Sequence, residues 1–428
     1  MREIKKVAVL GANGAMGSRC GGIFAQAGVR CTFFARTEEK ALLGIDNAVQ
    51  QARSDILREY ITPKTYDELE DELPECDWVF EALGEDIGLK RGYLERIDRA
   101  RNKGTIVSTV SSSLSIEELA EGKSDDFKAH FLGVHFFNPP GKLPANELIF
   151  HPDNSDMLKS FVSSFCEDRL YRVNIVTYNR PGFAGNRIGF SFLNEATLYA
   201  EKHGVDTIDY LLGPHTGRAM PPLATIDLVG LDVYRAIVDY IYNKTDDERH
   251  ETFSLPLYAE KMIRKGLLGR KGQTKSGFYS KGKEDEILGI SPNSLEYSPL
   301  KSMKIEFVED MKNYIHDGEY TKAVDIIKKE RSPEADIVRH FILGYISYSY
   351  SRIGEVTPKE HGISGIDKVM AYGFSWLPPS GWVDLLGGPS PTISLIEKAG
   401  LPVSEQLSVQ SADSHCLVSD VQKYLIAR

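Results

Sequence analysis

Lys6-Val7-Ala8-Val9-Leu10 is a short apolar run, and Gly11-Ala12-Asn13-Gly14-Ala15-Met16-Gly17 follows it without a break. A helical pattern continues from Ser18 to Gln26 and stops at Gly28. A second apolar run, Cys31-Thr32-Phe33-Phe34-Ala35, comes next. The order strand, glycine turn, helix, strand is the opening of a dinucleotide-binding unit. The glycines let the backbone approach a pyrophosphate, and the free N–H groups at the helix start meet its negative charge. A bare glycine triad is a weak signal, and its place between strand and helix makes it strong. Gly11, Asn13, Gly14, Ala15, Met16 and Gly17 are therefore the candidate phosphate-binding residues.

The spacing is GxxGxxG, one residue longer than the usual GxGxxG. An acidic residue is expected at the end of the second strand, to bond both hydroxyls of an adenosine ribose. Ala35 stands there, followed by Arg36 and Thr37. Arg36 reads either as a holder of a 2′-phosphate, which favours NADP, or as a solvent-facing loop arginine, and both readings stay open.

The βα pattern continues. Asp77 to Ala82 reads as a strand, Ile87 to Ala100 as a helix and Gly104 to Thr109 as a strand. Ser115 to Glu121 opens a helix with a Ser-x-x-Glu cap, and Leu170 to Thr177 is a last short strand. Pro181-Gly182 marks a boundary, and the remainder reads as mainly helical. Helical patterns there run from Arg187 to Lys202 and from Glu319 to Arg331, and the polar stretch Lys281 to Pro299 reads as a linker.

A second feature lies in Gly133-Val134-His135-Phe136-Phe137-Asn138-Pro139-Pro140, with Glu147 twelve residues beyond the histidine. Lys128 to Leu132 is compatible with a strand, and the two prolines end regular structure. His135 would then sit at a strand end, where ligands bind in open α/β sheets. Histidine takes and returns a proton near neutral pH, and a carboxylate on one ring nitrogen fixes its tautomer. Taken alone, His135 reads more often than not as a core histidine beside a proline turn.

The 428 residues suit two to four domains. Net charge is −10, which speaks against a nucleic-acid footprint. Cys20, Cys31, Cys76, Cys166 and Cys416 are scattered and form no CxxC pair, as expected of reduced thiols in the cytoplasm. No signal peptide, membrane-spanning run or metal constellation is visible, so neither a membrane nor a metal is expected.

The helical half repeats itself. His203-Gly204-Val205-Asp206-Thr207-Ile208-Asp209 matches His361-Gly362-Ile363-Ser364-Gly365-Ile366-Asp367. Pro221-Pro222 followed by Ile226-Asp227-Leu228-Val229-Gly230 matches Pro378-Pro379 followed by Val383-Asp384-Leu385-Leu386-Gly387. Shared order and spacing point to two copies of one helical unit. The expected fold class is an α/β Rossmann-like doubly wound sheet followed by duplicated all-α domains. The expected divisions are 1–179, 180–300 and 301–428.

With these motifs in place, the chain resembles the L-3-hydroxyacyl-CoA dehydrogenase family over nearly all its length. The carrying motifs are the glycine turn, His135-Phe136-Phe137-Asn138-Pro139 with Glu147, and Pro181-Gly182-Phe183-Ala184-Gly185-Asn186-Arg187. Gly269-Arg270-Lys271-Gly272 leading to Ser276-Gly277-Phe278-Tyr279 completes the set. The duplicated helical part resembles the dehydrogenase part of bacterial multifunctional fatty-oxidation enzymes, without their hydratase part. The resemblance implies a fold, a reaction and roles. The reaction is oxidation of an (S)-3-hydroxyacyl-CoA to the 3-oxoacyl-CoA, with NAD as cofactor and NADP left open by Ala35 and Arg36. His135 would be the general base and Glu147 its carboxylate partner. Ser112, within Ser111-Ser112-Ser113-Leu114, and Asn186 would hold the reacting oxygen. The family usually has Asn-Thr before that serine, where this chain has Val110-Ser111. Glu85, Lys90 and Asn138 would lie beside the nicotinamide half of the cofactor. Bland roles remain beside these: Ser112 and Asn186 as helix caps, and Glu85 with Lys90 as a helix-end ion pair. Another β-hydroxyacid dehydrogenase and a non-catalytic relative are the competing readings. The region of the second copy that corresponds to Asn186, Arg339 to Leu343, has no Asn-Arg. That copy is therefore expected to be structural, packed on the first as a pseudo-dimer, with further homo-oligomerisation left open.

Overall fold

The computed structural model describes residues 3–427 apart from 113, 271, 284, 410–415 and 419. Ser113 and Lys271, each part of a motif named above, lie outside the described residues, as does Arg428 at the far end of the second repeat. The chain divides into two units, Met1–Phe183 with Val356–Pro358, and Ala184–Glu355 with Lys359–Arg428.

The first unit is built on an eight-stranded sheet in the order β3-β2-β1-β4-β5-β6-β7-β8. Its strands are β1 (Lys6–Leu10), β2 (Arg30–Ala35), β3 (Ile61–Thr65), β4 (Trp78–Glu81), β5 (Ile106–Thr109), β6 (Phe131–Phe136), β7 (Ala145–Phe150) and β8 (Val173–Thr177). The first six are parallel, β7 runs antiparallel to β6, and β8 is parallel to β7. The connecting helices include α1 (Ala15–Gln26), α2 (Glu38–Ala52), α3 (Ile87–Ala100), α4 (Ile116–Ala120), α5 (Asp125–His130) and α6 (Asp156–Ser164).

Both faces of the sheet are covered, which is why the parallel strands read as unbroken apolar runs. Val7 and Val9 of β1 join Phe24, Phe33, Trp78 and Phe80 on one face. Ala8 and Leu10, pointing the other way, join Phe34, Val79, Leu94 and Ile97. The chain leaves β1 toward β2 on one side and returns to β4 on the other. That reversal places the carboxyl ends of β1 and β4 at the crevice where doubly wound folds bind ligands.

Several sequence expectations shift. The strand containing His135 begins at Phe131, not Lys128, because Asp125–His130 is helical. Ser124 accepts a hydrogen bond from the Phe127 N–H at 3.2 Å and starts that helix. The last strand begins at Val173, not Leu170. Strands β3 and β7 are additional. β3 contains Pro63, which an edge strand tolerates because one of its sides needs no N–H donor.

The second unit is mainly helical. Its helices include α7 (Gly185–His203), α8 (Val205–Leu211), α9 (Pro222–Val229), α10 (Leu231–Lys244), α11 (Leu257–Arg264), α12 (Glu306–His316) and α13 (Tyr320–Lys329). They continue with α14 (Pro333–Ser351), α15 (Ser364–Gly373), α16 (Pro379–Leu386) and α17 (Pro389–Lys398). The Lys281–Pro299 stretch is not a linker. It contributes to a three-stranded antiparallel sheet of β9 (Tyr279–Lys281), β10 (Ile287–Ile290) and β11 (Tyr297–Pro299). The buried Ile290 side chain and the Tyr297 hydroxyl, which donates to the Gly277 carbonyl at 2.5 Å, fasten the sheet to the helical unit. The polar residues of the stretch occupy its turns and exposed positions.

The two segments that match in sequence carry the same hydrogen-bonding device. In the first copy Asp209 accepts from the Leu223 and Ala224 N–H groups at 2.8 and 3.0 Å, holding the start of α9. In the second copy Asp367 accepts from the Ser380 N–H at 3.1 Å and its hydroxyl at 2.5 Å, holding the start of α16. Each aspartate follows its copy's His-Gly pair by the same spacing, and each contacts the residue after the Pro-Pro pair. Burial pushes the Asp209 carboxyl up to about 7 and the Asp367 carboxyl likewise to about 7, despite the bonds that favour the ionised form.

A carboxyl whose pKa is raised on folding binds protons more tightly in the native state, so its contribution to stability declines as pH rises. For Asp367 the window runs from the ordinary value near 3.8 to about 7. Asp367→Asn keeps an acceptor for the Ser380 N–H and a donor for its hydroxyl while removing the buried charge. Between pH 5 and about 7, denaturation midpoints of this variant are expected to gain steadily on those of the unchanged protein, and to level off above it. A gap that stays constant over that range would show that Asp367 does not titrate there.

Candidate active site

Antiparallel pairing of β6 with β7 sets His135 opposite Glu147. The Glu147 carboxylate accepts from His135 Nδ1 at 2.7 Å, and both side chains are buried. An ionised carboxylate only accepts, so Nδ1 carries the proton and Nε2 is left as the acceptor. The Ser112 hydroxyl lies 3.0 Å from Nε2 and donates to it. Phe137 and Phe183, with ring centroids 5.1 and 5.6 Å from that of the imidazole, wall it on two sides. A histidine held this way offers one basic nitrogen and is braced on the other by a negative charge. Ser112 thus faces the imidazole and does not cap a helix. The Ser115 hydroxyl performs the capping, accepting from the Glu118 N–H at 3.3 Å.

The segment carrying Ser112 is tied down from behind. Glu85 accepts from the Ser111 hydroxyl at 2.6 Å and from the Ser112 N–H at 2.8 Å. Lys90 Nζ lies 3.6 Å from Glu85 and donates to both oxygens of Glu81, at 2.8 and 2.9 Å. Glu81, at the end of β4, also accepts from the Thr109 hydroxyl at 2.6 Å and the Leu83 N–H at 2.6 Å. Thr109 in turn accepts from the Ser111 N–H at 3.1 Å. Glu81 and Lys90 are wholly enclosed. The Lys90 ammonium also donates to the Leu83 carbonyl, at 3.2 Å.

Glu81 was not among the candidates found in the sequence. The only available signal was an acidic residue ending an otherwise apolar strand, Trp78-Val79-Phe80-Glu81. A carboxylate there is costly to bury unless paired, so its presence implied a nearby cation and donors.

The glycine turn fits a dinucleotide. Gly11 has φ of +73°, and a Cβ on it would lie 2.2 Å from the Ala82 carbonyl oxygen, so only glycine closes the turn between β1 and β4. A Cβ on Gly17 would lie 2.2 Å from the Gly11 carbonyl oxygen, which keeps α1 tight against the turn. Around Gly14 the one close neighbour of such a Cβ is the Gly11 carbonyl oxygen, at 3.2 Å. Asn13 and Ala15 are exposed and Met16 is half-buried, so the outer side of the turn at the start of α1 is open to a pyrophosphate. Ala35 is buried at the end of β2 and Arg36 beyond it is exposed. Asn138 is exposed and its side-chain oxygen accepts from Arg19 Nη1 at 2.6 Å. Asn186 and Arg187 lie in the first turn of α7, in the helical unit, both buried. Among the described residues no cluster of His, Cys, Asp or Glu is placed to hold a metal ion. No described helix is long and apolar enough to cross a membrane.

The family described as 3-hydroxyacyl-CoA dehydrogenase, NAD binding domain, matches residues 6–179, and the corresponding C-terminal domain matches residues 182–281. A 3-hydroxybutyryl-CoA dehydrogenase of Clostridioides difficile is 32% identical over 295 residues, covering 65% of this chain and 100% of that protein. The chain belongs to the 3-hydroxyacyl-CoA dehydrogenase family. The matched N-terminal domain of this family is an NAD-binding domain, which makes NAD its cofactor. A probable 3-hydroxyacyl-CoA dehydrogenase of Bacillus subtilis is 32% identical over 417 residues, 90% of this chain. The chain spans about half the length of that relative, 51%. A solved 3-hydroxybutyryl-CoA dehydrogenase of Escherichia coli superposes with a TM-score of 0.68 at 18% identity, covering 99% of this chain and 98% of that one. At that identity the likeness is one of fold alone.

The hub is best tested where no charge is stranded. Removing Lys90 would leave Glu81 buried and unpaired, at a cost of about 3–5 kcal/mol. Thr109→Val is nearly isosteric and removes one donor to Glu81 and the acceptor for the Ser111 N–H. It is expected to cost about 1–3 kcal/mol of stability, with most of it restored in Thr109→Ser. Thermal unfolding measures both, and a valine variant as stable as the parent would sever Thr109 from the hub.

Proposed function

We propose that the protein oxidises an (S)-3-hydroxyacyl-CoA to the 3-oxoacyl-CoA, with His135 as general base. The observation that carries this reading is the run Glu147–His135–Ser112, which leaves one basic nitrogen beside a hydroxyl donor at the carboxyl end of the sheet. His135 Nε2 receives the proton of the substrate 3-hydroxyl. Glu147 then holds the imidazolium against its charge. Ser112 donates to the substrate oxygen as negative charge grows there, the moment at which a fixed donor is most effective. Asn186, by its place in the family motif, is a second donor to that oxygen. NAD, when bound, supplies the carbon that accepts the hydride from C3. Gly11 to Gly17 hold its pyrophosphate, and Glu85 and Asn138 stand on the nicotinamide side. Five free cysteines suit a reducing compartment, so we assign the protein to the cytoplasm.

We further read the helical half as two copies, 180–300 and 301–428, of which the second replaces the partner subunit of a dimer. The bridge between Arg218 and Trp376 supports this. Arg218 lies four residues before Pro222, and Trp376 lies three residues before Pro379. Nearly equivalent positions of the two copies therefore pair with each other, as across a two-fold axis. The Arg339 guanidinium of the second copy donates to the Ile327 carbonyl at 2.7 Å, a purely structural use in the region corresponding to Asn186.

With 3-hydroxybutyryl-CoA and longer 3-hydroxyacyl-CoAs, reduced cofactor is expected to form with NAD and to be followed by its absorbance. His135→Gln should retain cofactor binding and lose about 10²–10⁴ in kcat. Turnover near that of the parent would remove His135 from its role.

The exposed Arg36 next to Ala35 is the remaining question of cofactor choice. If it meets a 2′-phosphate, Arg36→Ala raises KM for NADP far more than for NAD. Equal small effects on the two would make it a loop residue only.

A further inference from the structure

Arg187 follows Asn186 in the first turn of α7 and is almost fully buried. Its guanidinium donates to groups from two separate stretches of the chain. Nε meets the Tyr348 hydroxyl at 2.6 Å, and Nη2 meets Asp247 at 2.5 Å and Glu355 at 3.3 Å. Asp247 lies beyond α10 in the first copy. Tyr348 on α14 and Glu355 just past its end belong to the second. The Tyr348 hydroxyl also donates to Asp247 at 2.8 Å. Arg352, from the second copy, donates to Asp247 at 2.7 Å, to Glu355 at 2.5 Å and to Glu248 at 2.8 and 3.0 Å. Two carboxylates and a phenol thus close around the residue next to Asn186, and the Arg352 guanidinium braces both carboxylates.

The grip continues along α7. A Cβ on Gly189 would lie 2.5 Å from the Phe374 ring. Phe192 packs against Phe341 and Trp376 with centroids 4.9 and 5.2 Å apart. Glu195 meets His340 Nε2 at 2.8 Å, and Tyr199 stands 5.0 Å from Phe341. Gly189, Phe192, Glu195 and Tyr199 form one stripe of the helix at three- and four-residue spacing. Packing along that stripe holds the body of α7. It leaves the rotation of the first turn to Arg187, whose planar fork meets several oxygens at fixed angles.

We propose that Tyr348, Arg352 and Glu355 of the second copy are positioning residues that lock Arg187 and thereby set the side chain of Asn186. The second copy is then needed for the reaction although it carries none of the reacting groups. This rests on the reading of Asn186 as a donor to the substrate oxygen.

Tyr348→Phe in the full chain removes the phenol oxygen and keeps the ring. It is expected to lower kcat about 10-fold, the scale of one well-placed hydrogen bond, with KM for the acyl-CoA and binding of NAD near those of the parent. Arg187→Lys, a point charge without the fork, should reproduce the loss. Glu355→Gln, at a partly exposed carboxylate, gives a second and milder probe and carries the test if Tyr348→Phe does not fold. In an Asn186→Ala background either change should add little, because both act through Asn186. Parental kcat in Tyr348→Phe and Glu355→Gln, or losses that multiply with that of Asn186→Ala, would overturn the proposal. So would parental kcat in Asn186→Ala, an outcome that leaves the His135 reading, tested by His135→Gln, untouched.

Discussion

The register between β6 and β7 decides where the chemistry lies. Leu132 pairs with Phe150, Val134 with Leu148, and His135 with Glu147. A slip of one residue would turn Glu147 to the opposite face of the sheet. The slip is resisted by the cores on the two faces. Leu132, Val134 and Leu148 are packed into one, and Phe131 and Ile149 into the other. Pro139, Pro140 and Pro144 lie between the strands, where neither strand can extend through them. The buried imidazole–carboxylate pair is thus one consequence of apolar packing, not two separate placements.

The charges behind the site obey a different constraint. Glu81 and Lys90 are both removed from water, and each is tolerable only because the other is present and the remaining oxygens have donors. Such a pair contributes little net stability, and its value is geometric. It fixes the end of β4, the start of α3 and the end of β5 to one another. From those three points Glu85, Ser111 and Ser112 are suspended. The same geometry explains why Lys90 faces inward.

What could be read in the sequence followed the strength of its local signals. The helix Ile87–Ala100 was legible to the residue, with Asp86 as its cap accepting from the Leu89 N–H. β1, β2 and α1 were legible from their apolar runs and the glycine turn between them. β3 was hidden by Pro63 and Lys64, and β7 by its polar Asn146 and Glu147, because buried strands that carry chemistry do not look apolar. The small sheet near residues 279–299 was hidden because its strands are three or four residues long, below the length at which alternation can be recognised. Of the site, the spacing of His135 and Glu147 was legible, but the hub at Glu81 was not. A buried carboxylate is defined by partners distant in the chain, Lys90 on a helix and Thr109 on another strand.

The two helical segments that match in sequence share some groups and differ in others, for different physical reasons. Asp209 and Asp367 each accept from N–H groups in the first turn of the next helix. Those N–H groups have no partner within their own helix, so the carboxylate satisfies them. The first-turn Asn-Arg of α7 has no counterpart on α14, because those hydrogen bonds do not require it. What α14 supplies is a surface: Phe341, Tyr345 and Tyr348 face the first copy, where Phe192 and Arg187 need cover. A helix with Phe192 and Tyr199 along one stripe and a buried guanidinium at its start is not stable against water on that side. On the proposed reading of residues 301–428 as a structural copy, that face supplies shape and hydrogen-bonding groups, and no reacting group is required of it.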